Sequence, residues 1–135
     1  MNLIDTCVVS ELRKPRPHLL ATTWLSRVPD RELFLSAVTI GELQAGVENL
    51  RARDAARAAD IEAWVDQISR VWNVLPMDAK IFRRWAVLMH GQPDGLIADA
   101  MIAATAQVHG LVLVTRNVRD FAALGVPTLD PFAPV

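Results

Sequence analysis

Four positions in the chain carry acids where the surrounding residue pattern does not call for them. Asp5 is the only charged side chain among the first ten residues, and it follows the apolar pair Leu3-Ile4. A carboxylate at the point where a buried strand gives way to a helix faces the ligand crevice of an open α/β sheet. Asp is equally a good helix N-cap, a role worth about 1 kcal/mol. Both readings of Asp5 stand. Glu42 closes the pattern Thr39-Ile40-Gly41-Glu42, which fits a capping box as well as it fits a ligand early in a helix. Asp99 is the sole formal charge in the 21 residues from Gly95 to Thr115, amid Leu96, Ile97, Met101, Ile102 and five alanines. A buried carboxylate without partners costs several kcal/mol or takes up a proton. An Arg from another helix, a short polar stripe with Thr105 and His109, or a bound cation would each resolve that cost. The fourth position is Thr115-Arg116-Asn117-Val118-Arg119-Asp120-Phe121, after the strongest strand pattern. There Thr115 and Asn117 suit the orientation of water or a carboxylate, Arg116 suits acid or phosphate, and Asp120 either joins the acids or caps a short helix.

Carboxylates drawn from distant parts of a chain to one end of a sheet make a site for a hard divalent ion. Mg²⁺ and Mn²⁺ take oxygen ligands, and Mg²⁺ keeps several waters, so a few Asp and Glu side chains suffice. The reaction suited to such a site is phosphodiester hydrolysis, in which the metal polarises the phosphate and makes water a better nucleophile.

The elements that must position these acids follow from periodicity and punctuation. Asn2 to Ile4, Leu33 to Leu35, Val74-Leu75 and Leu111 to Val114 read as short buried strands. Helices are expected over Thr6 to Leu12, Leu19 to Val28, from Thr39 with Ile40, Leu43, Val47 and Leu50 on one face, and over Ala52 to Val71. Asp78 caps a further helix over Ala79 to His90, with Ile81, Phe82, Trp85, Leu88 and Met89 inward, and Leu96 to Val108 forms another that stops at Gly110. Strands alternating with helices imply an α/β protein, a three-layer α/β/α arrangement around a mainly parallel sheet.

Length and composition limit the alternatives. With 135 residues, 52% hydrophobic and 21% charged, the chain suits one domain and is far from the composition of a disordered segment. Neither repeats nor linkers interrupt it. A net charge of −1 gives no basic footprint, although twelve of the fourteen bases are Arg and can cluster in space. A lone cysteine, Cys7, excludes an internal disulfide and is most simply a small buried side chain. Without a signal-like start or an apolar run of about 20 residues, a membrane location is not expected and the cytoplasm is.

The blocks Leu3-Ile4-Asp5-Thr6, Ser36 to Leu43, Asp99 to Ala106 and Leu113 to Phe121 together resemble the PIN domain, in the expected order across essentially the whole chain. More narrowly they are similar to the VapC and FitB-type toxins of bacterial type II toxin-antitoxin pairs. The resemblance implies a metal-dependent endoribonuclease, using Mg²⁺ or Mn²⁺, that cuts RNA by water attack. It implies a homodimer silenced by a cognate antitoxin whose tail occupies the active-site groove. By matching position it makes Asp5, Glu42 and Asp99 the metal-binding acids, and sets aside Asp94. Two departures stand out. Cys7 replaces the Asn that often follows Asp-Thr, and Asn117 occupies the place where some members carry a fourth acid, so Asn117 or Asp120 completes the site. Two rivals remain: a PIN-like module that binds RNA or antitoxin with weak catalysis, and a small phosphatase or DNase. Arg51, Arg53 and Arg57 with Arg13, Lys14 and Arg16 are candidates to track an RNA backbone. Trp64 and Trp85 lie on apolar stripes and suit the core or a dimer contact better than base stacking.

Overall fold

The computed structural model describes residues 1–134, in which five short strands form a single parallel sheet. They are β1 (Asn2–Ile4), β2 (Leu33–Ser36), β3 (Asn73–Leu75), β4 (Val112–Val114) and β5 (Thr128–Leu129), in the spatial order β3-β2-β1-β4-β5. The chain starts in the middle, builds one half outward, and returns to build the other. The direction of travel therefore reverses between β1 and β4, which pair with Ile4 opposite Val114. Loops diverge at such a switch point and leave a crevice beyond the carboxyl ends of the strands.

Alternate residues of each strand point to opposite faces, and this divides the core in two. Ile4, Leu33, Leu35 and Val114 pack on one side with α1 (Thr6–Val9), α2 (Leu19–Arg27), α3 (Ala37–Arg51) and α4 (Ala55–Val71). Leu3, Phe34, Leu75 and Leu113 pack on the other with α6 (Ile97–His109) and α7 (Val118–Ala123). Leu3, Ile4, Leu35 and Leu113 are completely buried, each contributing about 1.5–3 kcal/mol. The three-layer α/β/α arrangement with a parallel sheet is as the sequence pattern implies.

Several local expectations change. The first helix is α-helical only to Val9 and tightens into a 3₁₀ turn over Ser10–Arg13. The helix expected from Thr39 starts two residues earlier, because Ser36 at the end of β2 accepts the Val38 N–H at 3.1 Å and caps it. The helix expected from Ala52 starts at Ala55 instead, since Asp54 accepts the Arg57 N–H at 3.1 Å and begins a new helix there. Arg51 then bridges Glu48 of α3 and Glu62 of α4. On α5 (Ala79–Met89) only Ile81 is fully buried, while Phe82 and Val87 are 43% and 62% exposed. A single neighbour, α6, covers a narrower stripe than the apolar periodicity defines. Gly110, at φ 65° and ψ 37°, ends α6 in the left-handed conformation that glycine favours. The two-residue β5 gave no sequence signal; it is held by Leu113 N–H to Pro127 O and Thr115 N–H to Leu129 O, both 2.9 Å.

Candidate active site at the sheet switch point

Because β1 and β4 are neighbours, the residues that follow them meet. Asp5 Oδ2 accepts the hydroxyl proton of Thr115 at 2.7 Å, and Oδ1 accepts the Thr6 N–H at 2.9 Å. The Cys7 thiol donates to the same Oδ2 at 3.4 Å. Asp5 is 5% exposed and Thr115 completely buried, so the carboxylate is held firmly with limited access to water. Thr115 in turn accepts the Asn117 N–H at 3.0 Å, which ties the turn after β4 to the acid after β1.

Glu42 comes from the neighbouring strand's side of the crevice. It lies in the second turn of α3, and its Oε1 sits 2.7 Å from the Thr6 hydroxyl, which is also 3.0 Å from the buried Thr39 hydroxyl. A carboxylate only accepts and each hydroxyl has one proton, so Thr6 donates to Glu42 and is free to accept from Thr39. With Ser36 as the cap, the capping-box reading of Thr39 and Glu42 no longer applies.

Asp99, in the first turn of α6, is half-buried. Its carboxyl is pushed above the ordinary carboxylate range, first by burial and then by the negative charges of Asp5, Glu42 and Asp120. The structure thus brings Asp5, Glu42 and Asp120, each from a different helical segment, close enough for their charges to act on Asp99. Among the described residues the ion pairs are Lys14 with Glu11 and Arg51 with Glu48 and Glu62, so none of the four acids has a cationic partner. Arg116 turns away from them, lying 3.7 Å over the Phe132 ring, and its charge acts on Glu11. The salt-bridge reading of Asp99 is therefore set aside. Among the described residues no three His, Cys, Asp or Glu side chains are placed to hold a metal ion together. Asp5, Glu42 and Asp99 nevertheless all offer oxygen, the donor chemistry suited to a hard divalent ion.

Asn117 stands at the N-terminus of α7 without a side-chain cap bond, exposed. Asp120 lies in the first turn of α7, exposed, and reaches the cluster through its charge. Burial and the Asp5 charge push the Cys7 thiol up to about 11, so it is a neutral donor rather than a nucleophile. The sequence offered Thr39 only as a helix cap and gave the Thr6 hydroxyl no role of its own; the closeness of β1 and β2 brings both to Glu42. Trp64 packs against the core from α4, whereas Trp85 donates its indole N–H to Ile97 O at 3.1 Å.

An α/β/α fold with acidic side chains gathered at the switch point and no ion-pair partner for them among the described residues is the architecture the chain presents. Residues 3–126 match the PIN domain family, and the chain belongs to it. It is similar to VapC ribonuclease Y4jK of Sinorhizobium fredii, 34% identical, with 99% of each chain covered. It is also similar to Toxin FitB of Neisseria gonorrhoeae, 31% identical over 98% of this chain and 99% of the other. The crystal structure of FitAcB from Neisseria gonorrhoeae superposes with a TM-score of 0.88 at 31% identity, covering 98% of this chain and 99% of that one. Among the described residues no helix is long and apolar enough to cross a membrane.

Proposed function

We propose that the chain is a divalent-metal-dependent endoribonuclease, the toxin of a type II toxin-antitoxin pair acting in the cytoplasm. The observation that carries this reading is that the charges of Asp5, Glu42 and Asp120 all bear on Asp99, and among the described residues none of the four acids has an ion-pair partner. Relatives named as a ribonuclease and a toxin, aligned over nearly the whole chain, support it.

Asp5, Glu42 and Asp99 would hold Mg²⁺ or Mn²⁺, with Asn117 and Asp120 completing or orienting the site. An ion there would polarise the scissile phosphate, activate water for attack and offset charge on the leaving oxygen. The chain's own residues supply the geometry. Thr115 and the Thr6 N–H fix both oxygens of Asp5, and the Thr6 hydroxyl fixes Glu42. Neutral donors of this kind orient ligating carboxylates without cancelling their charge.

The test compares the purified chain with Asp5→Asn and Asp99→Asn on RNA, DNA and a phosphomonoester. RNA cleavage that needs Mg²⁺ or Mn²⁺, stops with a chelator and disappears in both folded variants is the expected result. RNA association without turnover would favour the weak binding module instead. A homodimer is proposed from the unpartnered apolar face of α5, where Phe82 and Val87 stand in water. The antitoxin partner rests on the family. An apolar surface of Leu12, Val71, Trp64 and Trp72 around a 200 Å³ hollow offers it a docking place.

A further inference from the structure

An acidic cleft repels the substrate it is meant to cut, so a polyanion must be held by something nearby. Six basic residues were candidates in the sequence; Arg16 is exposed and lines no part of the cavity described next, and the structure divides the other five. Lys14 is paired with Glu11, and Arg51 with Glu48 and Glu62. Arg13, Arg53 and Arg57 instead line a single cavity of about 140 Å³, closed by Gly46, Leu50 and Ile61. Among the described residues none of these three guanidiniums has a carboxylate partner. Asp54, the adjacent acid in sequence, has an oxygen taken by the Arg57 backbone N–H.

The cavity has the volume of roughly five waters, and a phosphate group has five non-hydrogen atoms. Its floor is also informative. Gly46 lies in the interior of α3, where glycine costs about 1 kcal/mol relative to alanine. A Cβ added there would meet nothing within 4 Å, so no packing in the chain requires a glycine. A missing side chain facing three free guanidiniums leaves room for a ligand against the helix. Gly46 is also four residues after Glu42, one turn along the same face of α3 and about 6 Å up its axis. One lining residue of the cavity thus lies a single helical turn from Glu42 along α3.

We propose that Arg13, Arg53, Arg57 and the open backbone at Gly46 form a phosphate-binding subsite that holds the RNA strand beside the cleavage position. It is not a base-reading site, because guanidiniums around a phosphate carry no sequence information. The proposal rests on the ribonuclease reading for its substrate class. It is a site for a strand phosphate adjoining the one that is cut, and it takes no part in the chemical step.

The experiment uses a single-stranded RNA of about a dozen nucleotides and the full chain carrying Arg13→Gln, Arg53→Gln and Arg57→Gln. A second variant, Gly46→Leu, keeps every charge and fills the cavity while favouring the helix. RNA binding is read by fluorescence anisotropy in an Asp99→Asn background, and cleavage by kcat and KM. Both variants are expected to raise KM and weaken binding with kcat nearly unchanged. Losing the one phosphate contact lowers the salt slope by about 0.7, so from about 50 to 200 mM salt the parent loses roughly threefold more affinity than the triple variant. Unchanged binding, KM and salt slope in both variants would overturn the subsite. So would intact RNA binding with weakened antitoxin binding, which would assign the arginines to an acidic protein segment. If the parent binds RNA without cutting it and the triple variant loses that binding, the subsite stands and the nuclease reading fails.

Discussion

Replacing Thr115 by Val removes one hydroxyl and keeps the side chain's shape, and the structure fixes what is lost. Thr115 is completely buried and donates to a buried carboxylate at 2.7 Å. A hydrogen bond to a charged group contributes about 1.5–3 kcal/mol. The second bond, from the Asn117 N–H at 3.0 Å, contributes less, because Asn117 is exposed and water replaces the partner. The extra methyl offsets little of this beside an Asp5 oxygen left with only the weak Cys7 thiol as donor. The expected loss is about 2–3 kcal/mol, or roughly 6–12 °C in Tm for a chain of this size. Freed of one anchor, Asp5 should also cost about 10–100-fold in metal-dependent RNA cleavage. Thr115→Ser keeps the donor and should recover most of the activity, with a smaller stability loss from one buried methyl. Thermal denaturation and cleavage kinetics on the three proteins decide it. A Thr115→Val protein as stable and as active as the parent would refute the claim that this hydroxyl holds Asp5.

The other predictions concern charge and surface. Asp99→Asn should abolish cleavage yet stabilise the metal-free fold by up to about 1 kcal/mol, a figure kept small because water screens a half-exposed group. The sign follows from its raised pKa: the native chain binds the Asp99 proton more tightly than the unfolded chain does. The penalty therefore appears as pH rises from the unfolded value near 3.9 through the native one, and the Tm advantage of Asn should vanish in more acid solution. Mg²⁺ should raise the Tm of the parent more than that of Asp99→Asn. With its thiol near 11, Cys7 at pH 8 should alkylate roughly 200-fold more slowly than a free cysteine, and faster as the pH rises; rapid modification at neutral pH would contradict the assigned donor role. Phe82→Glu with Val87→Arg should yield a monomer by sedimentation at nearly unchanged Tm, since both side chains are exposed.

The parts of the site that depend on the chain's own punctuation were legible in the sequence. Asp5 is visible because a charge ends an apolar strand, and Asp99 because it interrupts a long apolar segment. Both signals are local, and so are the strands β1 to β4 and the cap at Asp78, whose side chain accepts the Ile81 N–H at 2.9 Å. Glu42 was ambiguous because its meaning depends on where α3 starts. Ser36 caps α3 and removes the capping-box reading through a bond the sequence leaves undetermined. The Thr6 to Glu42 and Thr115 to Asp5 bonds join residues 36 and 110 apart, so they exist only once the strand order is known. The same holds for the arginines, which form one undifferentiated set in sequence and separate into paired and free groups only in space. The face of α5 failed for another reason: apolar periodicity records what could be covered, and this chain alone covers only part of it.

The choice of donors around the acids bears on why the cluster is tolerated. A buried Asp next to a guanidinium is satisfied twice over, by charge and by hydrogen bonds, and then has little attraction left for a metal. Asp5 is held instead by a hydroxyl, a thiol and a backbone N–H, and Glu42 by a hydroxyl. These supply orientation while leaving the full negative charge in the crevice. The resulting repulsion is expressed at Asp99, the member on a separate helix where burial adds to it. Such a site is destabilising by itself, and the divalent ion proposed for it would offset that repulsion. Arg51 is paired with Glu48 and Glu62, Arg116 lies over Phe132, and Arg13, Arg53 and Arg57 gather in the cavity beside Gly46, where they attract the substrate without pairing with the acids.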